Sequence, residues 1–247
     1  MTRLLLTTAL ALAATPALAG ETISYEVEGA PYEGYLAMPA GAPAGLVLVI
    51  HDWDGLGDYE ERRADMLAEL GYAAFAADLY GAGNRPQETE AKKAETAALY
   101  EDREAMRARI LGGLATAREQ AGELPAVVMG YCFGGAATLE LARSGAAEDV
   151  VGYTSFHGGL STPAGQSWDG VDDFVLVAHG GADSAITLDD VAQLGRELED
   201  AGTPYEIQIY SGAPHAFTVF GSDRYRERAD TESWAAFTDL LAERFDG

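Results

Sequence analysis

The segment Val127-Val128-Met129-Gly130-Tyr131-Cys132-Phe133-Gly134-Gly135-Ala136-Ala137 constrains the fold more than any other part of the chain. An apolar strand-like run passes through five residues, G-x-C-x-G, directly into an alanine-rich helical run. A strand without polar alternation is buried on both faces, and a strand that feeds straight into a helix belongs to a parallel sheet. The two glycines explain the turn. Where strand and helix backbones close on one another, only hydrogen side chains fit beside the central residue. The pattern is that of a nucleophile elbow with cysteine in the place of serine. It lifts the thiol to a helix N-terminus, where backbone N–H groups and the helix dipole are expected to favour thiolate.

The remaining periodicity agrees with that unit. Residues 22–27 and 33–38 read as an N-terminal hairpin turning at Gly29-Ala30-Pro31. The continuous apolar run at 45–50 reads as a strand buried on both faces, 72–77 as a second buried strand, and 125–130, 150–155, 173–179 and 205–210 as the strands that follow. Helical patterns fall between them. In residues 58–70, Tyr59, Met66, Leu67 and Leu70 share a face, with Asp58 as N-cap. Residues 87–120 read as helix interrupted near Gly112-Gly113. Residues 133–143 follow the cysteine. Leu188, Val191, Leu194 and Leu198 form one stripe, and Trp234, Phe237, Leu241 and Phe245 the face of a closing helix. The expected fold is α/β, an eight-stranded, mostly parallel sheet covered by helices on both faces. Ligands of such sheets bind at the C-terminal strand edge.

The first residues stand apart from this pattern. Arg3 precedes an apolar run from Leu4 to Ala14, and Ala17-Leu18-Ala19 has the small-x-small form of a cleavage site. Residues 1–19 therefore read as a cleaved signal peptide and 20–247 as one domain, exported to the periplasm or beyond. No later apolar stretch is long enough for a membrane span. A single cysteine excludes an internal disulfide. With 16 Lys+Arg against 40 Asp+Glu, the formal charge of −24 opposes phosphate backbones, so nucleic acid is set aside as a partner. A monomer acting on a small molecule is expected.

An elbow predicts an acid and then a histidine, each after a later strand. The run 174–178 leads into His179-Gly180-Gly181-Ala182-Asp183, and 205–210 into Ser211-Gly212-Ala213-Pro214-His215. Cys132, Asp183 and His215 are thus the candidate nucleophile, orienting acid and base. The loop His51-Asp52-Trp53-Asp54-Gly55-Leu56 follows the 45–50 strand and is placed to supply one oxyanion amide. The backbone N–H groups of Trp53 and Phe133 are assigned that role. His51 precedes the nucleophile and is given a loop-structuring hydrogen bond instead. Tyr80, Tyr131, His157 and Phe217 are pocket candidates, with core packing the plainer alternative for each. No residue spacing suits zinc, and no phosphate or dinucleotide loop occurs, so neither metal nor cofactor is expected.

These residues resemble the dienelactone hydrolase (carboxymethylenebutenolidase) family of α/β-hydrolases. The resemblance rests on His51-Asp52-Trp53-Asp54-Gly55-Leu56, Asp78-Leu79-Tyr80-Gly81, Gly130-Tyr131-Cys132-Phe133-Gly134-Gly135, His179-Gly180-Gly181-Ala182-Asp183 and Pro214-His215-Ala216-Phe217, in family order. It implies an α/β-hydrolase fold and a Cys132–His215–Asp183 triad forming a thioester intermediate. Dienelactone-specific members carry a thiol-activating glutamate where this chain has Asp52, one methylene shorter. They also hold the substrate carboxylate with two arginines, where this chain has Ala82 and Val219; Arg85 is the nearby substitute. Loss of that clamp in so acidic a chain predicts a preference for neutral small esters or lactones over carboxylated dienelactones. The rival readings are a noncatalytic ligand-binding protein on the same fold, and a thioesterase or peptidase.

Overall fold

A computed structural model describes residues 20–245. The signal peptide assigned to 1–19 lies outside the described residues. The chain forms β1 (Glu21–Val27), β2 (Ala30–Ala37), β3 (Leu46–Ile50), α1 (Asp58–Glu69), β4 (Ala73–Ala77), α2 (Thr89–Glu101), α3 (Arg103–Ala121), β5 (Ala126–Tyr131), α4 (Phe133–Ser144), β6 (Val150–Phe156), β7 (Phe174–Gly180), α5 (Leu188–Ala201), β8 (Tyr205–Tyr210) and α6 (Glu227–Phe245). Eight strands make one sheet in the order β1-β2-β4-β3-β5-β6-β7-β8. The β1–β2 and β2–β4 pairs are antiparallel, and every pair from β4 to β8 is parallel.

Alternation along β3 divides the core. Leu46, Leu48 and Ile50 pack with Leu99 of α2, Met106, Ile110 and Leu114 of α3, Leu139 of α4 and Leu194 of α5. Val47 and Val49 face the other way, with Leu67 of α1 and Phe237 and Leu241 of α6. All five β3 side chains are buried, as expected for a strand covered on both faces. Among the described residues no helix is long and apolar enough to cross a membrane.

Four local expectations change. The hairpin turns at Glu28-Gly29, both at positive φ, and Ala30 pairs with Val27, so Ala30 and Pro31 belong to β2. The helix break falls at Asp102, whose carboxylate accepts the Ala105 N–H at 3.0 Å and caps α3. Gly112 and Gly113 lie inside α3. A Cβ on Gly112 would stand 2.4 Å from Val27 Cγ2, and one on Gly113 2.8 Å from Ala77 Cβ. These glycines therefore allow the helix to touch the sheet, and packing outweighs their poor helix propensity.

Helix α1 starts one residue earlier than expected. Gly57 is its N-cap, and Glu60 reaches back to accept the Gly57 N–H at 3.0 Å. Its buried face is Glu60, Arg63, Ala64, Leu67 and Ala68, while Leu70 lies exposed. The charged Arg63 is buried because it has partners: an ion pair with Asp230, the Thr218 carbonyl at 3.1 Å and the Tyr59 hydroxyl at 3.3 Å. Aromatic rings of Tyr59, Phe220 and Trp234 lie against its guanidinium.

Candidate active site

The C-terminal ends of β3, β5, β6, β7 and β8 converge on one edge of the sheet. There β5 ends in the elbow. Cys132 has φ 52° and ψ −111°, outside helical and strand conformations. Its N–H donates to the Phe156 carbonyl at 3.0 Å, and its own carbonyl accepts the Ala136 N–H at 3.2 Å. A Cβ on Gly130 would meet the Gly134 carbonyl carbon at 2.3 Å, and one on Gly134 would meet the Ile50 oxygen at 2.3 Å. The two glycines thus let β5, α4 and the end of β3 share one small volume, which holds the thiol in place.

Two loops bring the other groups. Asp183, after β7, accepts the Ala185 and Ile186 N–H groups on Oδ1 at 2.8 and 3.0 Å. Those bonds leave Oδ2 for His215 Nδ1, at 2.8 Å. His215 Nε2 lies 3.1 Å from Cys132 Sγ. The Asp183 carboxylate fixes the imidazole with its proton on Nδ1, so Nε2 is the acceptor for the thiol proton. The Asp183 side chain is shielded from solvent, and His215 stays partly accessible.

The thiol departs from expectation. Burial, and then the negative field of Asp52, push it up to about 12, against the favourable Phe133 N–H. One amide and a helix dipole do not repay desolvation of a sulfur anion, so the resting group is S–H rather than thiolate. Asp52 is itself pushed up to about 9, chiefly by burial, with Asp54 and Glu60 alongside it. It is therefore protonated near neutrality. Its Oδ1 accepts the Asp54 N–H at 3.0 Å, and no hydrogen bond joins it to the thiol among the described residues.

The first loop is braced from several sides. His51 donates from Nδ1 to the Asp52 carbonyl at 2.6 Å and accepts the Leu79 N–H on Nε2 at 3.1 Å. It is a fully buried loop tie, as assigned from sequence. Tyr80 donates to the Trp53 carbonyl at 3.1 Å, and Lys92 pairs with Asp54 at 3.2 Å while lying over the Trp53 ring. The Trp53 N–H has no protein partner among the described residues.

The other pocket candidates separate. Arg85 is tied to Asp78 at 3.3 Å and to the carbonyls of Gly81, Asn84 and Glu33. Anion binding by Arg85 would require it to leave these partners. Tyr131 is fully buried between Tyr59 and Phe156, behind the elbow and away from solvent. Phe217 is also fully buried, edge-on to His157. His157 bonds Thr218 Oγ1 at 2.8 Å, and its ring lies 5.4 Å from the His215 ring, so it supports the base from behind. Burial lowers its pKa well below the usual imidazole range, which keeps it neutral.

Sequence reading missed Tyr100. Its ring lies edge-on to Phe133 at 5.5 Å, and burial followed by the Cys132 charge raises its phenol pKa. It also missed the Arg63–Asp230 pair beneath Thr218, because a buried arginine looks like any exposed charge in a helical pattern.

Comparison with known proteins points one way. A model of the dienelactone hydrolase family matches residues 32–245. A probable 2-oxo-3-(5-oxofuran-2-ylidene)propanoate lactonase of Bradyrhizobium sp is 27% identical, over 90% of this chain and 93% of the relative. The carboxymethylenebutenolidase of Pseudomonas putida is 27% identical, over 87% of this chain and 92% of its own. Among solved structures, a dienelactone hydrolase-like promiscuous phosphotriesterase from metagenomic libraries superposes with TM-score 0.83 at 28% identity, covering 92% of this chain and 99% of that one.

Proposed function

The chain belongs to the dienelactone hydrolase family of ester- and lactone-cleaving hydrolases, and we propose that it is a cysteine hydrolase of small esters or lactones working through a thioester. One observation carries the reading: the hydrogen-bonded series Cys132–His215–Asp183, with 3.1 and 2.8 Å between its members. Substrate entering the site displaces water and brings a carbonyl carbon to Sγ. The thiol proton passes to His215 Nε2 as the S–C bond forms. Asp183 holds the resulting imidazolium without taking its proton. The carbonyl oxygen becomes an oxyanion and takes the N–H groups of Phe133 and Trp53. When the tetrahedral species collapses, the C–O bond breaks and His215 returns the proton to the leaving oxygen. Water, deprotonated by the same Nε2, then attacks the thioester. The acid leaves and the thiol regains its proton.

Neutral Asp52 stands beside this chemistry as a group without charge at rest. A charged carboxylate there would oppose the sulfur anion. Its protonation keeps that opposition low while the S–C bond forms.

The test is turnover of a panel of lactones, aryl esters and thioesters by the wild type and Cys132→Ala. The variant is expected to lose activity by roughly 10⁴-fold or more with its fold intact. The wild type quenched during turnover is expected to carry one acyl group on Cys132 by mass spectrometry. Undiminished hydrolysis by the variant removes the cysteine from the mechanism.

The same reading includes export. The order Arg3, apolar run, Ala17-Leu18-Ala19 supports cleavage after Ala19. Protein from its native host should begin at Gly20; a mature chain starting at Met1 would refute it.

A further inference from the structure

A second polar feature lies along α4, away from the triad. Glu140 is fully buried and meets three guanidinium groups: Arg103 at 2.8 Å, Arg107 at 2.5 Å and Arg143 at 3.6 Å. Gln166 donates to both oxygens of Glu140 at 2.9 Å and accepts from Arg143 Nε at 2.9 Å. Glu197, which accepts from Thr162 at 2.5 Å and Gln193 at 2.9 Å, keeps its charge and also acts on Arg143, so three arginines face two carboxylates and the surplus is one positive charge.

Arg143 is the incompletely satisfied member. Its side chain is only 3% exposed, yet Nη1 has no hydrogen-bond partner. Burial first, and then repulsion from Arg103, outweigh Glu140 and lower its pKa to about 10. A buried donor without a partner costs free energy, on the order of 1–3 kcal/mol and more when charged. Such a group is expected to gain from an acceptor.

A cavity of about 210 Å³ adjoins the cluster, lined by Tyr100, Arg103, Ala136, Arg143, Gly159 and Ser161. It begins close to the chemistry. Ala136 is one helical turn beyond Cys132, about 5 Å along α4. Tyr100, on its other wall, packs against Phe133 at 5.5 Å and carries the Arg103 guanidinium over its ring. Arg143 lies about two further turns along the same helix face.

We propose that this cavity is a subsite for a carboxylate at the far end of a substrate's acyl arm, held by Arg103 and Arg143. The assignment rests on the hydrolase reading, which places the reacting carbonyl at Cys132. It refines the expectation drawn from Ala82 and Val219. A carboxylate directly beside the reacting carbonyl finds no clamp, whereas one carried on an arm several bonds long reaches the surplus charge. Cys132 and Arg143 are eleven residues apart, about three turns or 16 Å along α4, and an arginine side chain laid back toward the helix N-terminus covers about 6 Å of that, so the arm has to span about 10 Å.

The test compares p-nitrophenyl half-esters of succinate, glutarate, adipate and suberate with neutral alkanoates of matching length. In the wild type the anionic-to-neutral ratio of kcat/KM is expected to rise with arm length, to roughly tenfold for the longer arms. That factor is the size of one charge-assisted hydrogen bond. Arg103→Gln should pull the ratio back by the same factor, and Arg103→Lys, which keeps the charge, should retain part of it. Arg103 is partly exposed, so these variants spare the buried arginine. Calorimetric titration of suberate into wild type and Arg103→Gln at low salt reads the subsite without turnover.

A hydrolase failure would appear as no turnover of any ester, with suberate binding still sensitive to Arg103. A ratio flat with arm length, or one unmoved by Arg103→Gln, overturns the subsite. Suberate binding without preference for tailed esters also overturns it, in favour of a free-anion site.

Discussion

At the scale of single residues, the site is governed by a competition that sequence shows only in part. The order Cys132, Asp183, His215 is legible because each residue follows a strand-like run, and strand ends share one edge. The protonation of the thiol is not legible. It depends on how much water the folded walls remove, and no motif records that. Burial raises the thiol to about 12, so at neutral pH nearly all of it is S–H donating to His215. This has a direct consequence for reactivity. The rate of Cys132 alkylation by iodoacetamide in the free enzyme should still be climbing above pH 9, because each rise in pH exposes more thiolate. Asp52 ionises in the same range, from its raised value of about 9, and its new charge makes the climb shallower than that of a free thiol. A resting thiolate–imidazolium pair would instead give a plateau from below neutrality. Such a plateau, measured by mass spectrometry across pH 5–10, would show that burial does not control this sulfur.

At the scale of elements, what the sequence carries well is period and what it carries poorly is approach. The runs that became β3 and β5 were readable from continuous apolarity, β8 from its alternation of Glu206 and Gln208 with apolar residues, and α5 from its single stripe. The α2–α3 break was misplaced because glycine has two uses that look alike in sequence. Glycine weakens a helix interior, but it also lets a helix lie against a neighbour. At Gly113 the neighbour is Ala77, 2.8 Å from where a Cβ would stand. The elbow follows the same physics with a stricter outcome. The Cβ of Gly134→Ala would sit 2.3 Å from the Ile50 oxygen, a backbone atom held in the centre of the sheet. Neither β3, paired on both sides, nor the first turn of α4 can yield without breaking backbone hydrogen bonds. Overpacking of this kind costs about 1–3 kcal/mol or more. For a domain of this size Tm should fall by roughly 5–10 °C, and turnover should fall further because the Cys132 turn shifts. Gly41→Ala, with nothing within 4 Å of its added carbon, is the matched control and should leave Tm in place. Equal Tm values for the two variants, by calorimetry, would mean that the elbow relaxes without cost.

At the scale of the whole molecule, two charge distributions act on an anionic substrate at different distances. Far away the substrate meets the net field of a chain with formal charge −24, which is repulsive and lowers the encounter rate. Within a few ångströms of α4 it meets the surplus of Arg103, Arg107 and Arg143 over Glu140 and Glu197. Salt separates the two. The Debye length is about 30 Å at 0.01 M and about 8 Å at 0.15 M, so moderate salt removes the long-range repulsion first. Contacts to the buried Arg143 are screened much less. Neutral esters feel neither term. The expected outcome is that kcat/KM for a neutral aryl ester stays flat between 10 and 150 mM NaCl, while that of its carboxylate-tailed counterpart rises severalfold. The sign distinguishes the cases, since an anion attracted by the molecule as a whole would lose kcat/KM over the same range as its steering is screened. A falling anionic kcat/KM would show that the local arginine cluster, rather than the acidic surface, dominates the approach.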